Sequence, residues 1–400
     1  MVLLDRIGYA FYRDAEGRAF LPAGQFDVRL VTSLAKAGEA SGDELASVLA
    51  VDGHDERALI EAVRFQSTFG GRKAARLVAV TERFLLLAAR LRDELGIPGQ
   101  GVAQTLPFRD KVVMKEHLAR HGIKVPAFAP FTEAAARELL RSHRAVVAKP
   151  RLGTGSVEIT VLRDEAELAA FTAAHAGRLA DFEVEQFVTG RLYHVDSMVQ
   201  DSKVVAAIAG GYIDETTSYQ RLRPCRDVAV PPGPLLDTLL AFNRRVLETF
   251  PGFTGVTHHE MFVAEDGEVY LCEIGARAGG GGVIAGFLSR TGINLDEAMV
   301  RAQLGEPLPT TEGPADHLTG FIAVYAGPGT VREPIAAPDE PWVLESQILA
   351  EPGEVLDGPQ NCNDAVAIVS VRGDSPEEVV RRLDRVHDHM AVALGSIAAG

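Results

Sequence analysis

The stretch Thr254–Gly282, TGVTHHEMFVAEDGEVYLCEIGARAGGGG, decides how the rest of the chain is read. At its centre, Glu265-Asp266-Gly267-Glu268 sits between alternating runs and predicts a hairpin with Asp266-Gly267 as a two-residue loop. Paired residues then sum to the same number throughout, so Glu265 pairs Glu268, Phe262 faces Leu271, Glu260 faces Glu273, His258 faces Gly275 and Arg277 lies opposite Val256. Side chains alternate along a strand, so all of these except the Glu265–Glu268 pair share one face. Met261, Val263, Tyr270, Cys272 and Ile274 take the other, core face. Two carboxylates placed directly opposite, with Cα atoms about 4.5 to 5.5 Å apart, destabilise a hairpin unless a cation lies between them. An oxygen-only pair suits a hard ion such as Mg2+, which is commonly held by one or two carboxylates plus a substrate's phosphates. A nucleotide is therefore the ligand to look for. With no lysine on that hairpin face, metal binding is preferred to an exposed polar face laced with lysine.

The chain has 400 residues, long enough for two or three domains, with 55 acidic and 40 basic residues and a net charge of −15. That balance argues against nucleic acid or an anionic membrane surface as partner. Cys225, Cys272 and Cys362 have neither metal-ligand spacing nor an even count for a disulfide framework. The amino terminus lacks a targeting pattern, and no apolar run approaches the roughly 18 residues that span a bilayer. A cytoplasmic protein is expected.

From residue 1 to about 107 the pattern alternates. Strands are expected at 27–31, 45–51 and 76–80, and helices at 55–68 and 82–95, the latter ended by Gly96. Alternation of this kind predicts an open parallel sheet, and no phosphate-binding glycine fingerprint occurs within it. Helices at 110–121 and from Thr132 lead to a strand, Ala145–Lys149, then the turn Pro150-Arg151-Leu152-Gly153-Thr154-Gly155-Ser156 and a second strand at 157–162. Such a hairpin tip can fold over phosphates with its backbone N–H groups, and Lys149 enters from the first strand. A helix at 164–174 and strands at 182–188 and 193–199 follow. The segment 210–234, carrying Arg221, Arg223 and Arg226, reads as a long loop, either a solvated face or a contact for an anionic substrate group. After the central hairpin come helices at 283–289 and 295–304, the second capped by Asn294. A linker is expected at 307–314. Short strands at 320–325 and 365–371 and a helix at 375–394 then form a small α+β unit.

A glycine-rich turn alone is weak evidence; the ordered set is not. Asp110-Lys111, Lys149-Pro150 with LGTGS, Glu185-Gln186-Phe187-Val188 with Gly190, HHE at 258–260 and CEIGAR at 272–277 together resemble the ATP-grasp superfamily over about half the chain. The flanking segments look like those of its biotin-carboxylase-like branch. A Gly-x-x-His-x-Glu pattern, matched by Gly255, His258 and Glu260, is similar to bacterial amino-acid ligases that make dipeptides. The resemblance implies an ATP-grasp fold, two α+β lobes (108–185 and 186–306) clamping ATP, with an amino-terminal open parallel α/β domain (1–107) and a small carboxy-terminal α+β domain (307–400).

It further implies ATP with Mg2+ or Mn2+, and residue roles. Glu260 and Glu273 would hold metal. Lys149 and Lys111 would reach the nucleotide, Gly153, Gly155 and Ser156 would cover its phosphates, and Glu185, Phe187 and Val188 would meet adenine and ribose. Phe262 and Leu271 suit an apolar floor under the base or plain core. Arg277 would support the transferred phosphoryl group; its alternative is a surface arginine. His258, with His194 and Asp196, would face substrate or be merely structural, and His259 takes no role. The expected activity is ATP-dependent joining of an amino-acid-type carboxylate to an amine, the partners being small molecules and the assembly a homodimer. A carboxylase, a thioester-forming ligase and a catalytically weak nucleotide-binding regulator are the alternatives. Where the family usually reads Glu-x-Asn-x-Arg, this chain has Gly275, so a side chain that commonly completes the metal site is missing.

Overall fold

The computed structural model describes residues 1–400 apart from 15–16, 22–23, 41–43, 312, 396 and 398–400, and the side chain of residue 392. One residue of the expected 307–314 linker, Glu312, therefore lies outside the described residues.

The first unit contains β1 (Val2–Leu4), β2 (Arg29–Ser33), β3 (Ser47–Val51), α1 (Glu56–Thr68), β4 (Leu77–Val78), α2 (Glu82–Leu95) and the single turn α3 (Val102–Thr105). Its strands form an all-parallel sheet in the order β3-β2-β1-β4. Val2 and Leu4 pack with Leu59, Val63, Phe84 and Leu91, each full burial of such a side chain contributing about 1.5–3 kcal/mol. α2 ends where Gly96, at φ 60° and ψ 41°, takes the left-handed position and its N–H closes on the Arg92 carbonyl. The sequence pattern shows this unit clearly, apart from β1 and α3.

The second unit begins with α4 (Lys111–Arg120), β5 (Phe128–Pro130), α5 (Glu133–Ser142), β6 (Val146–Pro150), β7 (Thr160–Leu162), α6 (Glu165–Ala174) and β8 (Phe182–Gln186). A four-stranded sheet, β5-β8-β6-β7, carries the glycine-rich turn at the tip of the antiparallel β6–β7 hairpin. Asp110, Thr132 and Asp164 cap the three helices by accepting backbone N–H bonds.

The large sheet follows, built from β9 (Gly190–Gln200), β10 (Lys203–Tyr212), β11 (Cys225–Ala229), β12 (Gly255–Ala264) and β13 (Val269–Gly275), with α7 (Pro234–Leu247), α8 (Val283–Thr291) and α9 (Leu295–Leu304) packed on it. The remaining elements are β14 (Leu318–Val324), β15 (Gly329–Thr330), β16 (Val343–Ile348), β17 (Val355–Leu356), β18 (Ala367–Gly373) and α10 (Pro376–Gly395). β14, β18 and β16 extend the same sheet, whose order is β13-β12-β9-β10-β11-β14-β18-β16. The segment expected to be a long arginine-rich loop thus contains β11, the strand that joins the two halves of this sheet. Arg226 is held by Asp214 (2.8 Å) and Asp384 (2.5 Å), and Arg221 lies 3.6 Å from Glu215.

The central hairpin departs from the simplest register twice. The Gly267 N–H and the Glu268 carbonyl both bond Ala264, which makes Glu265-Asp266-Gly267 a three-residue loop, and Gly267 takes φ 82° at the position where such loops need a left-handed residue. Val263 therefore pairs Val269, and Phe262 pairs Tyr270. A bulge between Glu260 and Met261, in which Cys272 is the extra residue, then restores the original arithmetic. Glu260 faces Glu273, and His258 faces Gly275, as expected. Leu271 turns to the opposite face and packs with Met261, Val269 and Ile274, so it is core and not a floor for adenine. Cys272 in turn leaves the core face, its Sγ lying 4.0 Å from Glu260 Oε2. β13 ends at Gly275, and the pairing of Arg277 with Val256 is not formed.

Candidate active site

Capping places the first cation. Asp110 accepts the Val112 and Val113 amides, which fixes Lys111 as the first residue of α4. Its Nζ lies 3.0 Å from Glu273 Oε2 and donates to the Gly153 carbonyl at 2.8 Å. The carboxylate pair is therefore not free of lysine, as its own strands suggested; the countercharge arrives from a helix more than 160 residues earlier in the chain. Burial opposes ionisation of Glu273, but Lys111 and Lys149 more than offset it and hold its pKa at about 2. Glu260, opposite, accepts from the Tyr212 hydroxyl at 3.1 Å. The donor set fits a hard divalent ion: two opposed carboxylates, one of them held ionised by cations that a phosphate-bearing ligand could also engage.

Lys149 is buried on β6, 2.7 Å from Glu185 Oε1 and 3.8 Å from Glu183 Oε1. Lys115, wholly buried and not singled out by any motif, completes this cluster at 2.5 Å from Glu183 and 2.8 Å from Glu185. Burial disfavours the Lys149 ammonium, yet the surrounding carboxylates win and raise its pKa well above the usual lysine value. Beyond β8, Phe187 is exposed, its N–H bonded to the Ala145 carbonyl, while Val188 is buried. On the site face of the sheet the register sets Leu192 and Tyr270 on either side of Phe262, in the place expected of Leu271.

The glycine-rich turn is docked. Cys362 donates its N–H to the Gly155 carbonyl (3.2 Å), the Tyr219 hydroxyl donates to the Ser156 carbonyl (3.2 Å), and Ser156 Oγ meets Thr216 (3.3 Å). The segment before β18 thus closes over the turn, an arrangement no local pattern announces.

His194, Asp196 and His258 form a buried chain of alternating charge. His194 places Nδ1 2.6 Å from Asp196 and Nε2 3.1 Å from Asp227, and His258 Nδ1 lies 2.8 Å from the other Asp196 oxygen. Carboxylates only accept, so an imidazole between two of them carries both protons. Burial alone would lower the His258 pKa, but Asp196 and Glu260 raise it to about 9. Gly279 closes this chain because a Cβ there would lie 2.7 Å from both Asp196 Oδ1 and His258 Nδ1. His194, Asp196 and Asp227 border a cavity of about 20 Å³ with Thr319 and Phe321, room for one water. His259 points the other way, its Nδ1 2.9 Å from Asn243 Oδ1, and burial keeps it neutral with a pKa of about 3.

Arg277 follows β13. Its Nε lies 2.5 Å from Glu82 Oε2, at the start of α2, and Arg109 pairs the other Glu82 oxygen. The first unit thereby contributes a carboxylate to the site, which sequence reasoning missed: Glu82 looks like an ordinary first-turn acid. A Cβ on Gly275 would meet Arg277 Cγ at 3.5 Å, an ordinary contact, so the arginine stem lies over the position where the family's asparagine usually stands.

The sequence of residues 108–281, which builds the two lobes, the glycine turn and the opposed carboxylates, matches the family model described as the ATP-grasp domain. Residues 108–281 are an ATP-grasp domain. The last 73 residues of matched sequence, 322–394, fit the model for L-amino acid ligase C-terminal domain 2. Among relatives of the chain, an L-arginine-specific L-amino acid ligase of Bacillus subtilis is 24% identical over 300 residues, 71% of this chain and 72% of that protein. A D-alanine--D-alanine ligase of Anaeromyxobacter sp. (strain K) is 28% identical over 206 residues, 47% of this chain and 64% of that one. In solved structures, the L-amino acid ligase of Bacillus licheniformis superposes with a TM-score of 0.74 at 18% identity, covering 97% of this chain and 96% of that one. The biotin carboxylase domain of the Hydrogenobacter thermophilus 2-oxoglutarate carboxylase gives 0.71 at 16% identity, covering 97% and 89%. These two likenesses establish the fold. Among the described residues, no helix is long and apolar enough to cross a membrane.

Proposed function

We propose that the protein is an ATP-dependent carboxylate–amine ligase that activates an amino-acid-type carboxylate as an acyl phosphate. The observation that carries this reading is the convergence of Lys111, Lys149 and Arg277 on the opposed pair Glu260 and Glu273. Glu260 and Glu273 would hold Mg2+ or Mn2+, which supplies charge neutralisation for the phosphates.

The chain's own groups do the rest. Lys111 and Lys149 bring ammonium charge to one side of the carboxylate pair, and the docked turn at Gly153, Gly155 and Ser156 keeps water from the phosphates. Arg277, oriented by Glu82, offsets negative charge as the γ-phosphoryl leaves ADP and bonds to a substrate carboxylate oxygen. An amine then attacks the acyl carbon, phosphate departs with the C–O electron pair, and the amine's proton is lost to solvent. His258, held by Asp196, presents Nε2 3.6 Å from Glu260 and is suited to anchoring a substrate carboxylate beside the metal ligands. Glu185, Phe187, Val188 and Phe262 would surround the base and ribose. The reading extends to a cytoplasmic location and a homodimer, for which the biotin carboxylase domain neighbour, itself described as a dimer, is the support.

The test is phosphate and ADP release over a matrix of amino acids and amines, followed by product mass. ADP should accumulate only when carboxylate and amine are both present. Binding of ATP and metal with no turnover for any pair would overturn the ligase reading.

A further inference from the structure

Arg92 lies in the last turn of α2 and is 4% exposed. It donates from Nε and Nη2 to the Leu77 carbonyl at 3.1 and 2.8 Å, from Nη1 to the Gln100 carbonyl at 3.1 Å, and from Nη2 to Gln303 Oε1 at 2.7 Å. Of the five N–H bonds a guanidinium carries, one on Nη1 is left over. All the acceptors are neutral, and among the described residues no carboxylate lies within 4.0 Å of this arginine. Its neighbour Asp93 is exposed and turned to the Val102 amide at 2.8 Å. Burial accordingly draws the Arg92 pKa down to about 10, with Asp93 opposing. An uncompensated buried charge calls for a counter-ion.

The cavity beside it supplies the room. Arg92 lines a half-open space of about 220 Å³ bordered by α2, residues 99–105, the start of β12 and α9. Thr105, 2% exposed and also on this lining, has a hydroxyl with no hydrogen-bond partner. The other walls include Leu85, Phe253 and Met299. An unbalanced guanidinium, an orphaned hydroxyl donor and an apolar wall in one cavity describe a ligand with an anionic end and a hydrocarbon end. None of the residues assigned above to ATP, metal or substrate lines this space, although Gly255 and Ala276, three and one residues from His258 and Arg277, do.

We propose that this cavity is a second binding site, for a small aliphatic carboxylate whose anionic end meets Arg92 and Thr105 and whose hydrocarbon end covers Leu85, Phe253 and Met299. An occupant would bridge the first unit, through α2, to the large sheet, through β12 and α9. The proposal does not depend on the ligase reading.

The experiment uses the full chain without nucleotide or metal, so its outcome is independent of any catalytic role. The probe is 3-methylbutanoate, followed by saturation-transfer NMR and thermal melting, with the uncharged 3-methylbutanamide as its shape control. The carboxylate should receive saturation and raise the melting midpoint by about 2 °C at tenfold excess over its dissociation constant, and the amide should do neither. Ala302→Phe fills the cavity from α9 while leaving Arg92 itself unsubstituted, and should abolish both responses while the fold, by circular dichroism, is kept. Thr105→Val, a milder change, should weaken binding at least threefold and serves if the first variant does not fold. Equal responses from acid and amide, no transfer to the wild-type chain, or binding unaltered in the variants would overturn the site. A larger shift from inorganic phosphate than from the carboxylate would overturn the ligand class.

Discussion

Glu82 and Arg277, separated by 195 residues in sequence, meet at 2.5 Å and lock the first unit onto the hairpin that carries the opposed carboxylates Glu260 and Glu273. The same carboxylate also engages Arg109, so two cations depend on it. Burial resists its ionisation, and the two arginines overcome that and lower its pKa. Glu82→Gln should keep one hydrogen bond but lose the charge that aims Arg277. Turnover should fall about 10- to 100-fold, the scale of a small misplacement of a catalytic group, while nucleotide affinity changes less than about threefold. An unchanged turnover number would remove Glu82 from the orienting role.

Glu260→Gln and Glu273→Gln each remove one carboxylate from the proposed metal pair. Both should raise the metal concentration for half-maximal turnover by at least about tenfold, Glu273→Gln more so because Lys111 then keeps a charge without its partner. Metal titration of ADP release measures this, and equal metal requirement in wild type and variants would contradict the assignment.

Gly275 has room for a side chain: its φ is not in the left-handed region, and an added Cβ meets only the Arg277 stem at ordinary contact distance. Gly275→Asn should therefore fold with a melting midpoint close to wild type. Supplying the oxygen that relatives commonly place there should lower the metal requirement by about threefold to tenfold. A loss of turnover instead would mean that the new side chain displaces Arg277.

Asp296, on the first turn of α9, is 8% exposed, and burial raises its pKa to about 7. A carboxyl whose folded pKa lies above its unfolded value of about 3.9 binds more protons folded than unfolded between the two, so stability falls as pH rises from about 4 to about 7. Asp296→Asn should remove that slope. At pH 8 it should gain about 4 kcal/mol, less whatever favourable contact with the helix amino terminus is lost, about 0.3–1 kcal/mol. Below pH 4 it should gain nothing. Denaturant midpoints at pH 4 and pH 8 decide it.

Much of the site was legible because its signals are short-range. Alternation along β12 and β13 put Glu260, Glu273 and His258 on one face, and caps at Asp110 and Asn294 marked helices whose first turns begin where the sequence says. Strand, glycine turn and strand around Lys149 read equally plainly. Alternation did not reveal the bulge at Cys272, since one extra residue leaves both flanking runs regular; Leu271 and Cys272 changed faces as a result. β10, β11 and α7 were also missed, β11 behind the arginines and prolines that made its surroundings look like loop.

By itself, then, the sequence determined which residues could bear charge and phosphate chemistry, and in which local geometry, because strand and helix periodicity act over a few residues. Only the tertiary structure decided which charges meet. Lys111 on Glu273, Glu82 on Arg277, Lys115 among Glu183 and Glu185, and the Cys362 amide on the glycine turn all join segments remote in sequence. Such pairs are selected by burial, where an ion without a partner is too costly to keep, and no local pattern records which partner the fold will bring.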